Sequence, residues 1–528
     1  MIKECRIGID VGGTHTDAVL LSGTEILAST KSLTTKDVFT GITNALDEVL
    51  LVSKMRASDI AAVMLGTTQF TNAIVERKEL SRVAALRVGL PSGDGIAPML
   101  DWPEDLCEAI NGLSFMLPGG YLFDGRLLAE LDYSLIDDAI EKIRTANINK
   151  IAIASVFSPM NPKPEIEVAE YLQSKLNNLQ ITLSHKFNRL GILERENAAI
   201  LNASLLDFAD KVVNSFRQAL EVRQFNCPIF VSQNDGTLMD LDFVKEFPAL
   251  TFSSGPTNSL RGAYRLTGLE DAIVVDIGGT TSDIGVLQQG FPRESNNVIQ
   301  VGGVRTNFRM PDIEAVGLGG GSIIQENGLK IGPSSVGHRL VTESLVFGGS
   351  TLTTTDILVA SKGLEIGNPK EVEQLSPELI ENAETCIQTT LDHAIERMKP
   401  GGKALPVILV GGGSIIVTRD LKSATKVYRP ANAEVANALG AAIAQVGGEA
   451  ELMIKDKVQS RSLTIEQITQ IARQKALKRG AKEDTLRIVD IEEVQVPYMN
   501  EPTTRIRIKV VGELDLSHYR QNLSTYEN

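Results

Sequence analysis

The sequence predicts an α/β protein in which two large domains face each other across a cleft and a small α/β appendage follows. Three observations support this prediction. The chain has 528 residues, more than one hydrophobic core usually organises. Apolar strand-length runs alternate with helix-period segments, as they do in layered α/β domains. A glycine-rich pattern around residue 10 returns around residue 276, which indicates an internal duplication.

The first domain, expected over 1–190, opens with a β-meander whose short strands are joined by glycine-rich or small polar turns. Strand and helix patterns then alternate until prolines at 159–164 interrupt the chain before another helix. The predicted strands are 6–11, 18–22, 25–30, 61–65, 82–88 and 150–157, with a helix at 38–54.

The second domain, expected over 191–450, begins with a long helical stretch and contains the returning glycine-rich pattern. The more charged region 451–528 is expected to form either a small α/β appendage or a docking surface. The predicted helices are 193–223, 254–266 and 464–479, and the predicted strands are 228–232, 272–277, 406–410, 485–491 and 504–511.

The composition excludes several classes of function. A net charge of −14 argues against a general binder of nucleic acid, which needs clustered Lys and Arg. The apolar runs fall short of the roughly 20 residues that a spanning helix needs, and no signal-peptide pattern opens the chain. The four cysteines are too widely spread for a disulfide framework, a zinc site or an Fe–S cluster. We therefore expect a cytoplasmic protein that binds neither nucleic acid nor a membrane.

Two matching turns are the strongest signal for chemistry. They read Asp10-x-Gly-Gly-Thr-x-x-Asp17 and Asp276-x-Gly-Gly-Thr-x-x-Asp283, and each lies between two apolar strands. Glycines let a backbone approach a phosphate closely, while exposed amides and Thr hydroxyls donate to its oxygens. One copy would be weak evidence, because Asp often caps its own β-turn. Two copies in facing domains predict a clamp for a nucleoside triphosphate.

Roles can be assigned within these turns. The predicted catalytic residues are Asp10, Asp276 and Asp283, and the first two would also hold Mg²⁺ through water, since this ion keeps several of its waters. The His15 imidazole would either touch phosphate or face solvent. The predicted nucleotide contacts are Gly12, Gly13, Thr14, His15, Thr16, Asp17, Gly278, Gly279, Thr280 and Thr281.

Two glycine triplets lie in the second half of the chain. The triplet at 411–413 follows an apolar strand, where an adenine or ribose could rest. Either triplet alone is also compatible with a turn that binds nothing. Beside the phosphate turns, we assign to the nucleotide site Gly319, Gly320, Gly321, Gly411, Gly412 and Gly413.

The two phosphate turns and the late glycine triplet resemble the actin/sugar-kinase/Hsp70 superfamily, whose fold has two ribonuclease H-like domains around a nucleotide cleft. Further segments resemble, more narrowly, the hydantoinase A/5-oxoprolinase family, which includes N-methylhydantoinase A. They are Gly66-Thr67-Thr68-x-x-Thr71-Asn72, Arg195-Glu196-Asn197-Ala198-Ala199, Ser254-Gly255-Pro256 and Gly317-Leu318-Gly319-Gly320-Gly321-Ser322.

This resemblance implies ATP-dependent hydrolysis of a cyclic amide such as a hydantoin, 5-oxoproline or a lactam, in which the carbonyl oxygen is first phosphorylated. The protein's task would be positioning and charge neutralisation, as in other phosphoryl transfers. The alternatives are a small-molecule kinase, a ketone-carboxylase subunit and a non-catalytic regulatory ATPase.

The resemblance also implies substrate contacts from Thr67, Thr68, Asn72, Glu196 and Asn197. The same residues are also compatible with purely structural roles. The threonines and Asn72 would form a helix N-cap and a turn, and Glu196 would be a solvent-exposed charge on a helix.

A second divalent metal could be held by Asp312, Glu314 and Asp356. The family often has His at the position of Glu314, so a different metal, a different substrate or no metal at this place all stay open.

The expected ligands are therefore ATP, Mg²⁺ and a small carbonyl or cyclic amide compound. The expected partner is a separately encoded hydantoinase B-type subunit that completes hydrolysis, within a homo- or hetero-oligomer. The region after residue 450 is a candidate surface for this contact.

Overall fold

The structure is a computed structural model, and it describes residues 4–12, 15–33, 38–187, 190–295, 298–455, 461–496 and 503–516. In chain order the β-strands are Cys5–Val11 (β1), His15–Ser22 (β2), Glu25–Leu33 (β3), Ile60–Thr67 (β4), Val83–Leu90 (β5), Leu113–Pro118 (β6), Lys150–Ser155 (β7), Gln180–Leu183 (β8), Ile229–Ser232 (β9), Leu238–Asp240 (β10), Ala272–Ile277 (β11), Ser282–Gln288 (β12), Phe291–Pro292 (β13), Ile299–Val301 (β14), Val304–Thr306 (β15), Ile313–Val316 (β16), Ser322–Gln325 (β17), Lys330–Ser335 (β18), Val407–Val410 (β19), Val427–Tyr428 (β20), Val446–Lys455 (β21), Arg487–Gln495 (β22) and Thr503–Gly512 (β23). The α-helices are Val38–Ser53 (α1), Gln69–Glu76 (α2), Glu104–Ile110 (α3), Tyr133–Thr145 (α4), Lys163–Lys175 (α5), Ile192–Ser204 (α6), Leu206–Val222 (α7), Leu241–Glu246 (α8), Ser254–Thr267 (α9), Leu340–Glu343 (α10), Thr354–Lys362 (α11), Pro377–Met398 (α12), Ala436–Ala442 (α13) and Arg461–Lys478 (α14).

The first lobe is built on a six-stranded sheet in the order β10-β9-β4-β1-β2-β3. The predicted meander forms its β1-β2-β3 edge, and β4 pairs parallel to β1. β1 and β4 read as nearly continuous apolar runs because layers of structure cover both faces of this part of the sheet. The predicted boundary at 190/191 stays a prediction, and the structure adds that β9 and β10, from beyond it, complete this sheet.

The second lobe repeats the arrangement. Its sheet has the order β13-β12-β11-β19-β20, in which β11 is antiparallel to β12 and parallel to β19, as β1 is to β2 and β4. The registers also match, since Asp10 lies opposite Asp17 and Asp276 lies opposite Asp283. The predicted α/β fold with two related domains is confirmed.

Two closely packed helices, α9 and α13, join the lobes. A Cβ at Gly440 of α13 would lie 1.8 Å from the carbonyl oxygen of Asn258 on α9, so only glycine permits this approach. Leu439 and Ala438 of α13 pack with Val19 and Leu21 of β2. The close packing holds the two glycine turns at a defined separation.

A separate four-stranded parallel sheet, β6-β5-β7-β8, is inserted between β4 and β9. Ile151 and Ile153 of β7 pack with Ile136 and Ile140 of α4 in a core of its own. The sequence predicted the strands β5 and β7 but not their separation from the meander sheet.

The C-terminal unit is a three-stranded antiparallel sheet, β21-β23-β22, and its predicted helix and two strands correspond to α14, β22 and β23. Side chains of β23 alternate between apolar and basic. Ile506 and Ile508 pack against Ile468 of α14, while Arg507 and Lys509 face the body of the protein. Within the described ranges, none of the helices combines the length and the apolar character that crossing a bilayer requires.

Candidate nucleotide cleft

The two glycine turns meet at one cavity of about 530 Å³ between the lobes. Each turn is closed by a backbone hydrogen bond, in which the Gly12 amide donates to the His15 carbonyl (3.0 Å) and the Gly278 amide donates to the Thr281 carbonyl (2.9 Å). The predicted site residues that line the cavity are Asp10, Gly12, His15, Asp17, Asp276, Gly278, Gly279, Thr281, Asp283, Gly320, Gly411, Gly412 and Gly413.

Four other predicted contacts of the nucleotide are not in this lining, namely Thr16, Thr280, Gly319 and Gly321. Thr16 is fully buried in β2. The Gly320 and Gly321 amides donate to the Gly278 and Gly279 carbonyls at 3.0 and 2.7 Å, so the 319–321 loop supports the second turn. A Cβ at Gly319 would lie 2.6 Å from the Thr280 backbone nitrogen. Gly13 and Thr14 lie outside the described residues.

Carboxylates dominate the electrostatics of the cleft. Burial, followed by the charges of Asp17 and Asp276, raises the pKa of Asp10 to about 7. Burial and the charge of Asp276 likewise raise the pKa of Asp283 to about 7, and burial raises that of Asp276. Desolvation and like charge both disfavour the ionised form, so this group of acids favours a bound cation.

Sequence reasoning missed Lys31, the basic side chain that meets these acids. Its Nζ lies 2.7 Å from both carboxylate oxygens of Asp17, which it faces across the β2–β3 pair. Burial raises the pKa of Asp17, and Lys31 opposes that shift. The available signal was the third strand of the meander, which was predicted to end at Thr30, directly before Lys31, and continues to Leu33.

The cleft residues fit a nucleotide and its metal ion. Asp10 is 5% exposed, and its Oδ1 has no hydrogen-bond partner among the described residues. Gly411 has a φ of +82°, and a Cβ there would lie 2.2 Å from Asp276 Oδ1. Backbone amides and acids therefore share one concave surface, the donor set expected for phosphates and a water-ligated Mg²⁺.

The predicted substrate residues lie beside the cleft or away from it, and none is in the cavity lining. Thr67 pairs with Val11 at the base of the first turn, and Thr68 Oγ1 donates to the Val11 carbonyl at 3.5 Å. Thr68 occupies the N-cap position of α2 without a side-chain capping bond, and Asn72 is exposed on α2.

Glu196 and Asn197 are buried structural residues in this arrangement. Glu196 Oε1 accepts from Arg87 Nε at 2.9 Å, its Oε2 accepts from Arg87 Nη2, and both side chains are 3% exposed. Asn197 accepts from Trp102 Nε1 (2.9 Å) and donates to the Arg305 carbonyl (2.9 Å). Neither the cleft-facing role nor the solvent-exposed alternative matches these contacts.

The three acids of the predicted second metal site have separate partners in the structure and do not form one site. Asp312 pairs with Arg293 at 2.7 Å, and Glu314 pairs with Arg397 at 2.6 Å. Asp356 is buried and caps the start of α11, accepting from the Thr353 amide at 2.7 Å. In the described part of the chain, no three His, Cys, Asp or Glu side chains come together as a metal-binding group.

Gly279 offers a test of where a ligand lies. A Cβ there would meet no atom within 4 Å, so Gly279→Ala should leave the melting temperature almost unchanged. Its methyl group would project into the cleft and should weaken ADP binding by roughly tenfold or more. Calorimetry measures the affinity, and Gly95→Ala, which also meets no atom within 4 Å, is the matched control. Unchanged ADP affinity in Gly279→Ala would place the phosphates elsewhere.

The two lobes, their duplicated hairpins and the cleft between them define a protein with the actin-like ATPase and sugar-kinase fold. Two family models match the chain, one described as hydantoinase/oxoprolinase N-terminal region over residues 6–176 and one as hydantoinase/oxoprolinase over residues 195–364. The chain belongs to the hydantoinase/oxoprolinase family.

The chain is also similar to individual proteins of known activity. The chain is 25% identical to the caprolactamase subunit alpha of Pseudomonas jessenii over 388 residues, covering 68% of this chain and 54% of the relative. It is 25% identical to the acetophenone carboxylase gamma subunit of Aromatoleum aromaticum over 393 residues, covering 66% and 52%. The match thus spans about half the length of these curated relatives. The crystal structure of the ATP-dependent caprolactamase from Pseudomonas jessenii superposes with a TM-score of 0.78 at 19% identity, covering 97% of this chain and 88% of that one.

Proposed function

We propose that this chain is the ATP-hydrolysing subunit of a hydantoinase/oxoprolinase-type enzyme that activates and hydrolyses a cyclic amide. The observation that carries the proposal is the convergence of two Asp-Gly turns on one cavity rich in carboxylates, with Lys31 as a basic side chain in its lining. The family membership and the similarity to a caprolactamase subunit support the choice of a cyclic amide.

ATP with Mg²⁺ would supply the phosphoryl group that turns a carbonyl oxygen into a leaving group. The Gly12, Gly278 and Gly279 backbones would cradle phosphates, and Gly411 would let the facing loop approach Asp276. Asp10 and Asp276 would hold the metal ion through its waters. A carboxylate with a pKa of about 7, as in Asp10 and Asp283, can also accept a proton at neutral pH.

A partner subunit belongs to the proposal. The caprolactamase and acetophenone carboxylase relatives are themselves named as subunits, and this chain matches about half of the length of each. We therefore propose that a hydantoinase B-type subunit completes the hydrolysis after this chain has activated the carbonyl group.

The function is tested by phosphate release from Mg-ATP with a panel of 5-oxoproline, hydantoins and lactams, with and without the co-expressed partner. We expect one class of cyclic amide to stimulate release and to yield a ring-opened product, seen by mass spectrometry. A stable phosphoester product would instead identify a small-molecule kinase.

A second arm of the same assay contains acetophenone and bicarbonate, because an acetophenone carboxylase subunit is as similar in sequence as the caprolactamase subunit. Stimulation in this arm alone, with a carboxylated product, would replace the cyclic amide by a ketone. If no compound stimulates release although ADP binds by calorimetry, the regulatory alternative is favoured.

A further inference from the structure

A second cavity, of about 670 Å³, lies between the second lobe and the C-terminal unit. It is formed at the open end of the β11–β12 hairpin, where Asp271, Gln288 and Gln289 line it, whereas the turn of that hairpin lies in the nucleotide cleft. The other wall comes from β22 and β23 through Asp490 and Arg507. The two cavities are therefore at opposite ends of one hairpin.

The wall from β23 is charged although it is buried. Arg507 and Lys509 have side chains that are 3% and 5% exposed. Lys509 Nζ lies 3.0 Å from Asp235 Oδ2, and Arg507 Nη2 lies 3.2 Å from Glu294 Oε2. Burial alone would raise the pKa of Asp235, but the charge of Lys509 lowers it to about 2. Buried ion pairs are costly when apolar residues surround them. Here the ion pairs of Arg507 and Lys509 border an open, polar cavity.

The charges that line this cavity are nearly balanced, with carboxylates in slight excess. Burial raises the pKa of Asp490, and the charge of Arg507, which donates to it, opposes that shift. The lining contains the acids Asp235, Asp271, Glu294, Asp490 and Glu492 and the bases Arg293, Arg309, Arg507 and Lys509. A ligand with a net negative charge is therefore disfavoured, and one cationic group is accommodated.

Two residues of the lining also carry buried side-chain donors without an acceptor. Asn234 is 4% exposed, and its Nδ2 has no hydrogen-bond partner among the described residues. The same holds for Arg293 Nε, although the Nη2 of this side chain donates to Asp312 at 2.7 Å. Buried donors without acceptors are expensive, so this wall is suited to a ligand with acceptor oxygens.

Apolar side chains complete the lining, among them Phe291, Met310 and Ile491. We propose that this cavity binds a small zwitterion, with its carboxylate at Asn234 and Arg293 and its ammonium group at the acids of β22. A short aliphatic chain between these two groups would lie along the apolar side chains. The inference does not depend on the proposed function, because none of these residues belongs to the nucleotide cleft.

The test is calorimetry on the full chain with saturating ADP, which occupies the cleft. The probes are 4-aminobutyrate, 5-aminopentanoate and 6-aminohexanoate, with hexanoate and hexylamine as probes that carry only one of the two charged groups. At least one zwitterion is expected to bind at least roughly tenfold more tightly than either single-charge probe, since each lost charge-assisted hydrogen bond costs about that factor or more. A parallel titration omits ADP. Equal binding of hexanoate, zwitterion binding seen only without ADP, or no zwitterion binding in either titration would each overturn the proposal.

Variants locate the site. Asn234→Asp replaces a donor by an acceptor of the same shape and should weaken zwitterion binding by roughly ten- to a hundredfold. Asn149→Asp makes the same change at an exposed position in the inserted sheet domain and should leave the affinity unchanged. Arg293→Lys keeps the charge beside Asp312 but removes Nε, and it should also weaken binding. Wild-type affinity in both cavity variants, with melting temperatures confirming a folded chain, would contradict the assignment.

Discussion

An Asp10→Asn variant is expected to bind ADP and to lose ATP turnover by about 10²- to 10⁴-fold, the range typical of a group that transfers a proton or holds catalytic charge. Asp10 lines the cleft, and its Oδ1 has no partner among the described residues. Asn keeps the shape but cannot accept a proton or neutralise Mg²⁺. Phosphate release in single-turnover and steady-state assays measures the loss.

The control for this variant is Asp242→Asn, which changes an 84% exposed carboxylate on α8 and should leave turnover unchanged. Turnover within about threefold of wild type in Asp10→Asn would remove Asp10 from the catalytic machinery, since a catalytic acid or base contributes far more than that.

Asp10→Asn should also change stability in a pH-dependent way. Burial raises the pKa of Asp10 to about 7, so the native state holds this proton more tightly than the unfolded chain, where the pKa is about 4. The stabilisation from the protonated acid is complete below about pH 4 and is lost as the pH rises through about 7. Without nucleotide, the variant should therefore melt above the wild type at about pH 8, and this difference should shrink toward about pH 5.

Glu196→Gln is expected to reduce the free energy of unfolding by about 3–5 kcal/mol, because it leaves the buried Arg87 guanidinium without a counter-charge. The two side chains are each 3% exposed, and the Arg87 guanidinium donates to both Glu196 oxygens. Arg87 also donates to the Gly93 carbonyl at 3.2 Å, which ties the loop after β5 to the same pair. Denaturant unfolding followed by circular dichroism measures the change.

Two comparisons separate this structural role from a substrate contact. Glu194→Gln, two residues earlier on the same helix and only partly buried, should change stability by less than about 0.5 kcal/mol. The double variant Arg87→Met, Glu196→Leu removes both charges and should recover most of the loss. If Glu196→Gln is as stable as the wild type but has a raised KM for the cyclic amide, the sequence-based role is right.

The cleft turns were predictable because everything that defines them is local. An apolar strand, an Asp, two glycines, a Thr and a returning strand specify a hairpin within about 14 residues, and the second copy repeats it. The strands and helix after residue 450 were also predictable from their periodicity, and they are present as α14, β22 and β23.

The partners of single charges were not predictable. Glu196 begins a helix pattern that reads equally well as exposed, and its partner Arg87 lies on β5 of the inserted sheet. Asp312 immediately precedes β16 and Glu314 lies within it, yet they pair with different bases, Arg293 and Arg397. Hydrophobic periodicity indicates which face of an element a residue occupies but not which distant side chain it contacts.

The sequence by itself determined the α/β class, the duplicated phosphate turns and the acids and glycines that they contribute, because strand–turn–strand geometry depends on residues that are neighbours in the chain. Only the tertiary structure decided that Lys31 joins these acids, that Glu196 and Asp356 are internal supports, and that β23 presents Arg507 and Lys509 to a second cavity. The physical reason is that burial and ion pairing depend on packing between elements that are distant in sequence, and the cost of an unpaired buried charge is set by that packing.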